Sequence, residues 1–184
     1  MDTAARGGIF KGLRRSVLGN ESFFINTFTA REPGLVELAP PTPGDIQAVE
    51  LFQQTLYIQS ASFLAATTGL DIDTKWGGAR TFFSSEGLFM LRCAGTGTVL
   101  ISSYGAIHQV NLLPGEEYTV DTGHMVAFDQ SVRYSVGRTG SWKSTFLGGE
   151  GLVCKLQGPG RFYMQTRSSE SFIQWLAQKM PARK

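Results

Sequence analysis

Short apolar segments separated by turn residues dominate the middle of the chain. Between Ser103 and Phe128, apolar and polar positions alternate in short runs, and Pro114-Gly115 and Thr122-Gly123 interrupt these runs. Proline fixes one turn dihedral and glycine accepts the positive φ that other residues resist, so such dipeptides mark tight turns. The pattern predicts a series of β-hairpins, with Gly123 at a turn in a positive-φ conformation.

The same pattern recurs along the chain at a nearly constant interval. The segments that begin at Glu21, Glu86 and Glu150 share an acidic residue followed by a small and an apolar residue, and they are spaced by 65 and 64 residues. Residues 44–51 also resemble residues 105–112, at a shift of 61. Self-similarity at a fixed period is the sequence signature of repeated structural units.

From these intervals we predict one compact β domain over residues 1–184. Its repeats lie at about 9–73, 80–137 and 144–167, and the third repeat is incomplete. Strands without neighbours expose backbone groups that need partners. We therefore expect residues 152–165 to form an open sheet edge that is covered by the C-terminal segment or used for self-association, with Arg14 and Arg15 beside it.

Residues 168–184 break the strand pattern. Phe172, Trp175, Leu176 and Met180 recur at helical spacing, which predicts an amphipathic helix of roughly 11 residues over positions 170–180. Ser169 or Ser171 is the expected N-cap and Pro181 the stop signal.

Two interpretations of this helix remain open from the sequence. In the first, Phe172 and Trp175 pack on the β body. In the second, the helix docks on a protein partner or a membrane surface, where Lys179, Arg183 and Lys184 would favour an anionic surface.

Composition supports a protein built from many short strands. Glycine accounts for 22 of the 184 residues and phenylalanine for 13, and a glycine share above the usual 7% or so is typical of chains with many tight turns. The net charge is +2, but both termini are basic and the body between residues 21 and 176 is acidic. An acidic body is a poor match for a phosphate backbone, so we expect no nucleic-acid partner.

The sequence also limits where the protein is expected to work. No run of about 18 to 20 apolar residues would span a bilayer, and the first residues lack the apolar core of a signal peptide. The arginine-rich start has some features of an organelle transit peptide. We expect a cytoplasmic protein if the source is prokaryotic and a mitochondrial one if it is eukaryotic.

Reactive side chains are few. Cys93 and Cys154 lie in apolar runs and are expected to be buried thiols, with a disulfide or a reactive thiol as the alternative. His108 and His124 are the only histidines, and together with a neighbouring glutamate they offer at most a partial zinc or iron site. With no Gly-x-Ser-x-Gly motif present, we predict no catalytic residues, no metal and no cofactor.

Two further sets of residues allow alternative interpretations. Gly158-Pro159-Gly160 is typical of a hairpin turn, and its alternative is an anion cradle assisted by Arg161 and Arg167. Glu21, Glu86 and Glu150 either accept backbone amides at their own repeat boundaries or, in a threefold arrangement, converge on a cation. Burying three carboxylates together is costly, which favours the first role.

Four motifs in order resemble a known family. They are Pro114-Gly115-Glu116 with Gly123-His124, the Gly-Glu-Gly-Leu segment at 149–152, Gly158-Pro159-Gly160, and Gln165-Thr166-Arg167. Together they are similar to the family of altered inheritance of mitochondria protein twenty-four. The resemblance covers residues 7–167 and comes without a catalytic residue set.

The resemblance implies both a fold and a role. The implied fold is three β-sandwich-like lobes in a pseudo-threefold arrangement, each similar to the subunit of the trp RNA-binding attenuation protein. The implied role, in eukaryotic relatives, is mitochondrial biogenesis and inner-membrane organisation. We therefore expect a non-enzymatic scaffold or assembly protein that binds a protein partner or itself, with a small-ligand- or RNA-binding module as the alternative.

The residues singled out as candidates for interaction or structural motifs are the three glutamates and the polar or turn residues of the family motifs. They are Glu21, Glu86, Glu150, Gly123, His124, Gly158, Pro159, Gly160, Gln165 and Arg167.

Overall fold

A computed structural model of the chain describes residues 2–4, 25–73, 89–138 and 152–180. These residues form mostly antiparallel β-strands and one short C-terminal helix. The strands are β1 (Asp2–Ala4), β2 (Ile25–Thr27), β3 (Ile46–Gln59), β4 (Phe63–Ala66), β5 (Leu70–Asp73), β6 (Met90–Ser102), β7 (Ile107–Leu112), β8 (Glu117–Asp121), β9 (Met125–Asp129), β10 (Arg133–Arg138), β11 (Leu152–Gln157) and β12 (Gly160–Gln165). Two single 3₁₀ turns cover Ser60–Ser62 and Thr122–His124, and helix α1 covers Ser169–Lys179.

The described strands form three sheets. The largest has seven strands in the order β4-β6-β3-β9-β12-β7, with β5 also paired to β6. A second sheet has the order β10-β11-β8, and β1 pairs with β2 alone. All pairings between these strands are antiparallel.

The longest ladder joins β3 to β6 and changes character at a bulge. Before the bulge, Val49 and Leu51 are buried and Glu50 between them is exposed, as expected for a strand with one face in the core. The register shifts between Phe52 and Gln54, and from Leu56 to Gln59 every residue of β3 is buried. A bulge bends a strand, and here it carries β3 from a half-exposed edge region into the interior.

Shorter ladders lie later in the chain. Leu51 of β3 pairs with Gly97 of β6, and 61 and 63 residues further on Leu112 of β7 pairs with Gly160 of β12. In the second sheet β8 pairs with β11. Residues 46–102 thus contain one long ladder, whereas the ladders of residues 107–165 are divided between two sheets.

The interior contains two apolar clusters. The first includes Leu56, Leu91, Val99 and other residues of β3 to β6, together with residues of β9 and β12. The second includes Phe128, Cys154, Phe162 and other residues of β7 to β12, together with Tyr57 and Met90. Because β3 and β9 contribute to both clusters, the two cores share a wall of strands.

The predicted turns between residues 103 and 128 are present, but the predicted hairpins are wrong. Pro114-Gly115 is a turn, yet β7 pairs with β12 and β8 pairs with β11 rather than with each other. The turn therefore connects two different sheets. Gly158-Pro159 likewise connects β11 to β12 across the two sheets, so it is a turn without being a hairpin.

The predicted open edge at residues 152–165 is also wrong. Strand β11 lies between β10 and β8, and β12 lies between β9 and β7. Residues 107–138 supply all four neighbours, because strands of the predicted third repeat pair with strands of the predicted second one. Arg14 and Arg15 lie outside the described residues.

The predicted helix is confirmed, with a different N-cap. The cap is Ser168, which has extended backbone angles and whose hydroxyl accepts a hydrogen bond from the Ser171 amide at 3.3 Å. Ser169 is the first helical residue and Ser171 donates its amide to the cap, so neither fills the predicted role. The last described residue, Met180, caps the carboxyl end, and Pro181 lies outside the described residues.

Candidate functional site

A cleft opens where both 3₁₀ turns, the loop at residues 103–105 and the start of α1 meet. Its volume is about 540 Å³. The polar residues buried in the described part of the chain are concentrated here, since six of the seven line the cleft. These six are Gln59, Ser62, Ser102, Ser103, Gln165 and Ser168.

Gln165 connects the sides of this cleft. Its side-chain oxygen accepts a hydrogen bond from the Tyr104 amide at 2.9 Å, and its side-chain nitrogen donates to the carbonyl oxygen of Gly123 at 2.8 Å. One carboxamide therefore satisfies a donor on the loop and an acceptor on the second 3₁₀ turn. With only 8% of its surface exposed, Gln165 holds these groups where water has little access.

His124 adds a second link to Gln165. Its Nδ1 lies 2.7 Å from the backbone oxygen of Gln165. A carbonyl oxygen can only accept, so Nδ1 carries the proton in this contact. The imidazole thus ties the second 3₁₀ turn to the end of β12.

Gly123 is closely surrounded by neighbouring atoms. The prediction of a positive φ at Gly123 is wrong, since Gly123 is not among the glycines with positive φ. Its amide donates to Oδ1 of Asp121 at 2.8 Å. A Cβ atom at Gly123 would lie 2.9 Å from Oγ of Ser168 and 3.2 Å from Oδ1 of Asp121. Close approach of the helix cap, and not the backbone conformation, explains the glycine.

Arg167 contacts Tyr104, a residue that lines the cleft, but does not itself line it. Its guanidinium carbon is 5.6 Å from the centre of the Tyr104 ring, a distance at which a cation is attracted by an aromatic face. The Arg167 amide also donates to the Tyr104 oxygen at 3.2 Å. The structure thus brings together four of the candidates, namely Gly123, His124, Gln165 and Arg167.

The Gly158-Pro159-Gly160 segment does not form the alternative anion cradle. The Gly158 amide donates to the Glu116 oxygen at 2.9 Å, and the guanidinium of Arg161 is held by both carboxylate oxygens of Asp129, at 2.9 and 3.0 Å. This hydrogen bonding is the main reason that the pKa of Arg161 is raised. Two of the groups that such a cradle would use, the Gly158 amide and the Arg161 guanidinium, are therefore engaged within the protein.

The remaining candidates do not come together. Glu21, Glu86 and Glu150 lie outside the described residues. His108 lies on β7 with its side chain exposed. Within residues 2–4, 25–73, 89–138 and 152–180, no three His, Cys, Asp or Glu side chains are grouped so as to hold a metal ion.

Both cysteines are free and fully buried, as predicted. Removal from water raises the pKa of the Cys93 and Cys154 thiols to about 12. Since the thiolate is the reactive form, these side chains act as small core residues at neutral pH.

Helix α1 presents a large apolar face to solvent. None of its residues is buried. Phe172 is 45% exposed and Trp175 is 55% exposed. The Phe172 ring contacts Tyr104 at a centroid distance of 6.0 Å, whereas Trp175 stacks on Phe172. The helix is thus attached to the body at its first turn, and the expected packing of Trp175 on the body is not observed.

Sequence reasoning missed Gln59, Ser62, Ser102, Ser103 and Ser168. Four of these five, all except Ser168, lie beside an apolar run near a strand end. Ser102 and Ser103, for example, follow the run that ends at Ile101. A polar residue where the pattern demands an apolar one is the signal that was available. The cleft itself offers hydrogen-bonding groups and apolar surface, which suits recognition of a bound group.

No helix among the described residues has the length and apolar character needed to cross a membrane.

Comparison with known proteins gives relatives for this fold. The chain is 29% identical over 177 residues to an uncharacterised protein of Streptococcus pyogenes serotype M6, covering 95% of this chain and 71% of that protein. The crystal structure of a Streptococcus pyogenes protein is similar with a TM-score of 0.65 and 29% identity. That similarity covers 77% of this chain and 63% of the solved chain, so this chain matches less than two thirds of that relative.

The match to a family is more extensive. Residues 1–167 match the family described as mitochondrial biogenesis AIM24, the same family that the four sequence motifs resemble. The match includes the strands and turns that build the cleft and ends at Arg167, just before the helix cap. The chain therefore belongs to the AIM24 mitochondrial biogenesis family.

Proposed function

We propose that this protein is a non-enzymatic scaffold or assembly protein, related in role to mitochondrial biogenesis proteins, that holds a partner protein on the apolar face of α1. The observation that carries the proposal is the exposure of that face. Phe172, Trp175, Leu176 and Met180 are between 39% and 62% exposed. Contiguous exposed apolar surface on a folded domain marks an interaction site.

The spacing of these side chains fits one mode of recognition. Residues at i, i+3, i+4 and i+8 of a helix lie on one face, and an amphipathic helix with such anchors binds in the apolar groove of a partner. Tryptophan and phenylalanine are frequent in such interfaces because they bury a large area at low entropic cost.

The charge of the helix favours a protein over a membrane. A helix that lies on anionic lipid carries several lysines or arginines on its polar face. Helix α1 has one lysine, Lys179, and one glutamate, Glu170. Its polar face consists mainly of uncharged residues such as Ser171 and Gln174, and the further cations Arg183 and Lys184 follow the helix in sequence. The helix itself is therefore expected to attract an anionic surface only weakly.

The strand registers support the three-lobe arrangement as part of this proposal. Ile72 of β5 pairs with Cys93 of β6, and 63 and 62 residues later Ser135 of β10 pairs with Lys155 of β11. These registers favour a division that differs from the repeats predicted at about 9–73, 80–137 and 144–167. We place one lobe in residues 46–102 and a second in residues 107–165. We assign the short β1 and β2 pair to a third, incomplete lobe, which gives the body a pseudo-threefold form that displays α1 at one end.

The alternative function, an RNA-binding module, predicts salt-sensitive binding of RNA, whereas the proposed function predicts none. Phosphate-driven binding requires clustered cations and weakens steeply with salt. The guanidinium of Arg161 is already bound by Asp129, and Arg167 lies over Tyr104. A filter-binding series against RNA at rising salt is therefore expected to show no saturable, salt-sensitive binding.

Site-specific crosslinking in the native cell tests the proposal. A photoreactive amino acid at position 176, on the exposed face, is expected to give one discrete protein adduct. The same amino acid at position 109, an exposed residue of β7, serves as the control and is expected not to give that adduct. Excess purified protein should compete for the adduct. The Trp175→Ser protein should not compete, and it is expected to keep the wild-type melting temperature because Trp175 is 55% exposed.

Three outcomes would contradict the proposal. They are identical adducts from positions 176 and 109, adducts with phospholipid alone, and competition by the Trp175→Ser protein that equals competition by wild type.

A further inference from the structure

The cleft beside α1 carries polar side chains that make no side-chain hydrogen bond within the described part of the chain. Gln59 precedes the first 3₁₀ turn, Ser62 is the last residue of that turn, and Ser102 ends β6. Their exposed fractions are 2%, 3% and 3%. No side-chain hydrogen bond joins any of the three to another described residue.

Such side chains are expensive to bury. A polar group removed from water without a hydrogen bond is destabilising. Within the described part of the chain, no fully enclosed side-chain nitrogen or oxygen lacks a partner. The polar atoms of Gln59, Ser62 and Ser102 therefore reach the space of the cleft that these residues line, where they are available to a bound molecule.

Other residues of the cleft lining are already engaged in internal contacts. The Gln165 carboxamide is used at both ends by Tyr104 and Gly123, and the Ser168 hydroxyl caps α1. These groups fix the shape of the cleft. Gln59, Ser62 and Ser102 line the same cleft and supply both donors and acceptors.

The charge of the lining limits the kind of molecule that fits. Among the described residues that line the cleft, Glu170 is the one side chain that is charged at neutral pH, and lysine, arginine and histidine are absent from the lining. A phosphate or carboxylate would be repelled by Glu170 without a cation to offset it. Ala61 and Ile173 add apolar surface, which suits the carbon skeleton of a ligand.

We propose that this cleft binds a small, uncharged molecule rich in hydroxyl groups, of the chemistry of a sugar, recognised by Gln59, Ser62 and Ser102. A volume of about 540 Å³ lies within the range of small-molecule sites. The proposal is independent of the partner on the exposed face of α1, because that face and the cleft are lined by different side chains except near the first turn of the helix.

Protein-observed NMR with three matched probes tests this proposal. Glucose, glucuronate and glucosamine have the same ring with a neutral, an anionic and a cationic substituent. Glucose is expected to cause saturable shifts of the amide signals around Gln59, Ser62 and Ser102, and glucuronate is expected to bind at least about fivefold more weakly because of Glu170.

Two variants separate binding from folding. Ser62→Ala and Ser102→Ala each remove a hydroxyl that makes no hydrogen bond to another described residue, so their melting temperatures should equal or exceed that of wild type. Each should weaken glucose binding about fivefold. Ser135→Ala, on the exposed surface of β10, is the control and should change neither property.

Several results would overturn the proposal. Absence of saturable shifts with glucose would do so, as would stronger binding of glucuronate than of glucose. Shifts that remain unchanged in both Ser62→Ala and Ser102→Ala would place the binding elsewhere. A lowered melting temperature in these two variants would show that the hydroxyls serve the fold instead.

Discussion

Gln165 is buried beside the cleft, and its carboxamide makes hydrogen bonds with two separate backbone groups. Leucine at this position would fit a similar space but would leave the Tyr104 amide and the Gly123 oxygen without their partner. We expect Gln165→Leu to lower the free energy of unfolding by about 2 kcal/mol, measured by urea denaturation. Gln109→Leu, at an exposed glutamine of β7, should change it by less than about 0.5 kcal/mol. Equal effects of the two substitutions would contradict the bridging role.

Gly123 and Ser168 form a pair whose effects are expected not to add. A Cβ atom at Gly123 would lie 2.9 Å from the Ser168 hydroxyl, so Gly123→Ala displaces the hydroxyl that caps α1. Ser168→Ala removes the same cap and should cost about 1 kcal/mol. Once the cap is absent, Gly123→Ala has less left to disturb. A double-mutant cycle should therefore show a coupling free energy above about 0.5 kcal/mol, and strictly additive effects would refute this contact.

Among the strands, β6 is a single long strand whose two halves pair with different short strands of the same sheet. Its first half pairs with β5 and its second half with β4. Between these halves Gly95 has a φ of +133° and a Cβ there would meet the backbone oxygen of Gly69. A side chain is disfavoured both by the conformation and by the close approach.

Gly95→Ala is therefore expected to lower the free energy of unfolding by about 1 to 3 kcal/mol. Gly137→Ala in β10 is the matched control, because a Cβ there would contact nothing within 4 Å and the φ of Gly137 is not positive. Chemical denaturation of both variants decides the matter. A loss at Gly137 as large as that at Gly95 would argue against a special bend in β6.

The elements themselves could be predicted from the sequence, whereas their neighbours could not. Apolar periodicity and turn residues located β7, β8, β9 and α1 to within a few positions. Pairing depends on contacts distant in sequence, and Pro114-Gly115 turns the chain equally well within one sheet or between two. For this reason the hairpins and the open edge at residues 152–165 were predicted wrongly.

The residues of the candidate site could likewise be predicted only in part. Motifs identified Gly123 and Gln165, which line the cleft, and His124 and Arg167, which contact residues that line it. Ser102 and Gln59 are ordinary polar residues at strand ends. Their position after an apolar run is visible in the sequence, but their burial follows from the turns, loop and helix that pack around them.

In the molecule as a whole, each of the two apolar clusters contains one cysteine, which can serve as a probe of that cluster. Cys93 belongs to the first cluster and Cys154 to the second. Burial raises both pKa values to about 12. Stability from this source is complete below the unfolded thiol pKa of about 8.5 and is lost as the pH rises toward 12.

The rate of thiol labelling measures how accessible the two buried cysteines are, and unfolding at different pH values measures their effect on stability. At pH 8 we expect neither cysteine of the native protein to react with iodoacetamide, and both to react in denaturant. The unfolding midpoint should fall above about pH 9, where unfolded thiols lose their protons. Rapid labelling of one cysteine in the native state would show that its cluster opens separately from the other.

The β body displays α1 on its surface rather than burying it. Deletion of residues 169–184, followed by thermal unfolding and amide exchange of the remaining strands, tests this arrangement. Because no helix residue is buried and Phe172 makes the main ring contact with the body, we expect the free energy of unfolding to fall by less than about 2 kcal/mol. Exchange of β3, β6 and β9 should stay as slow as in the full chain. A loss of more than about 4 kcal/mol, the sum expected for two fully buried aromatic side chains, would contradict the account.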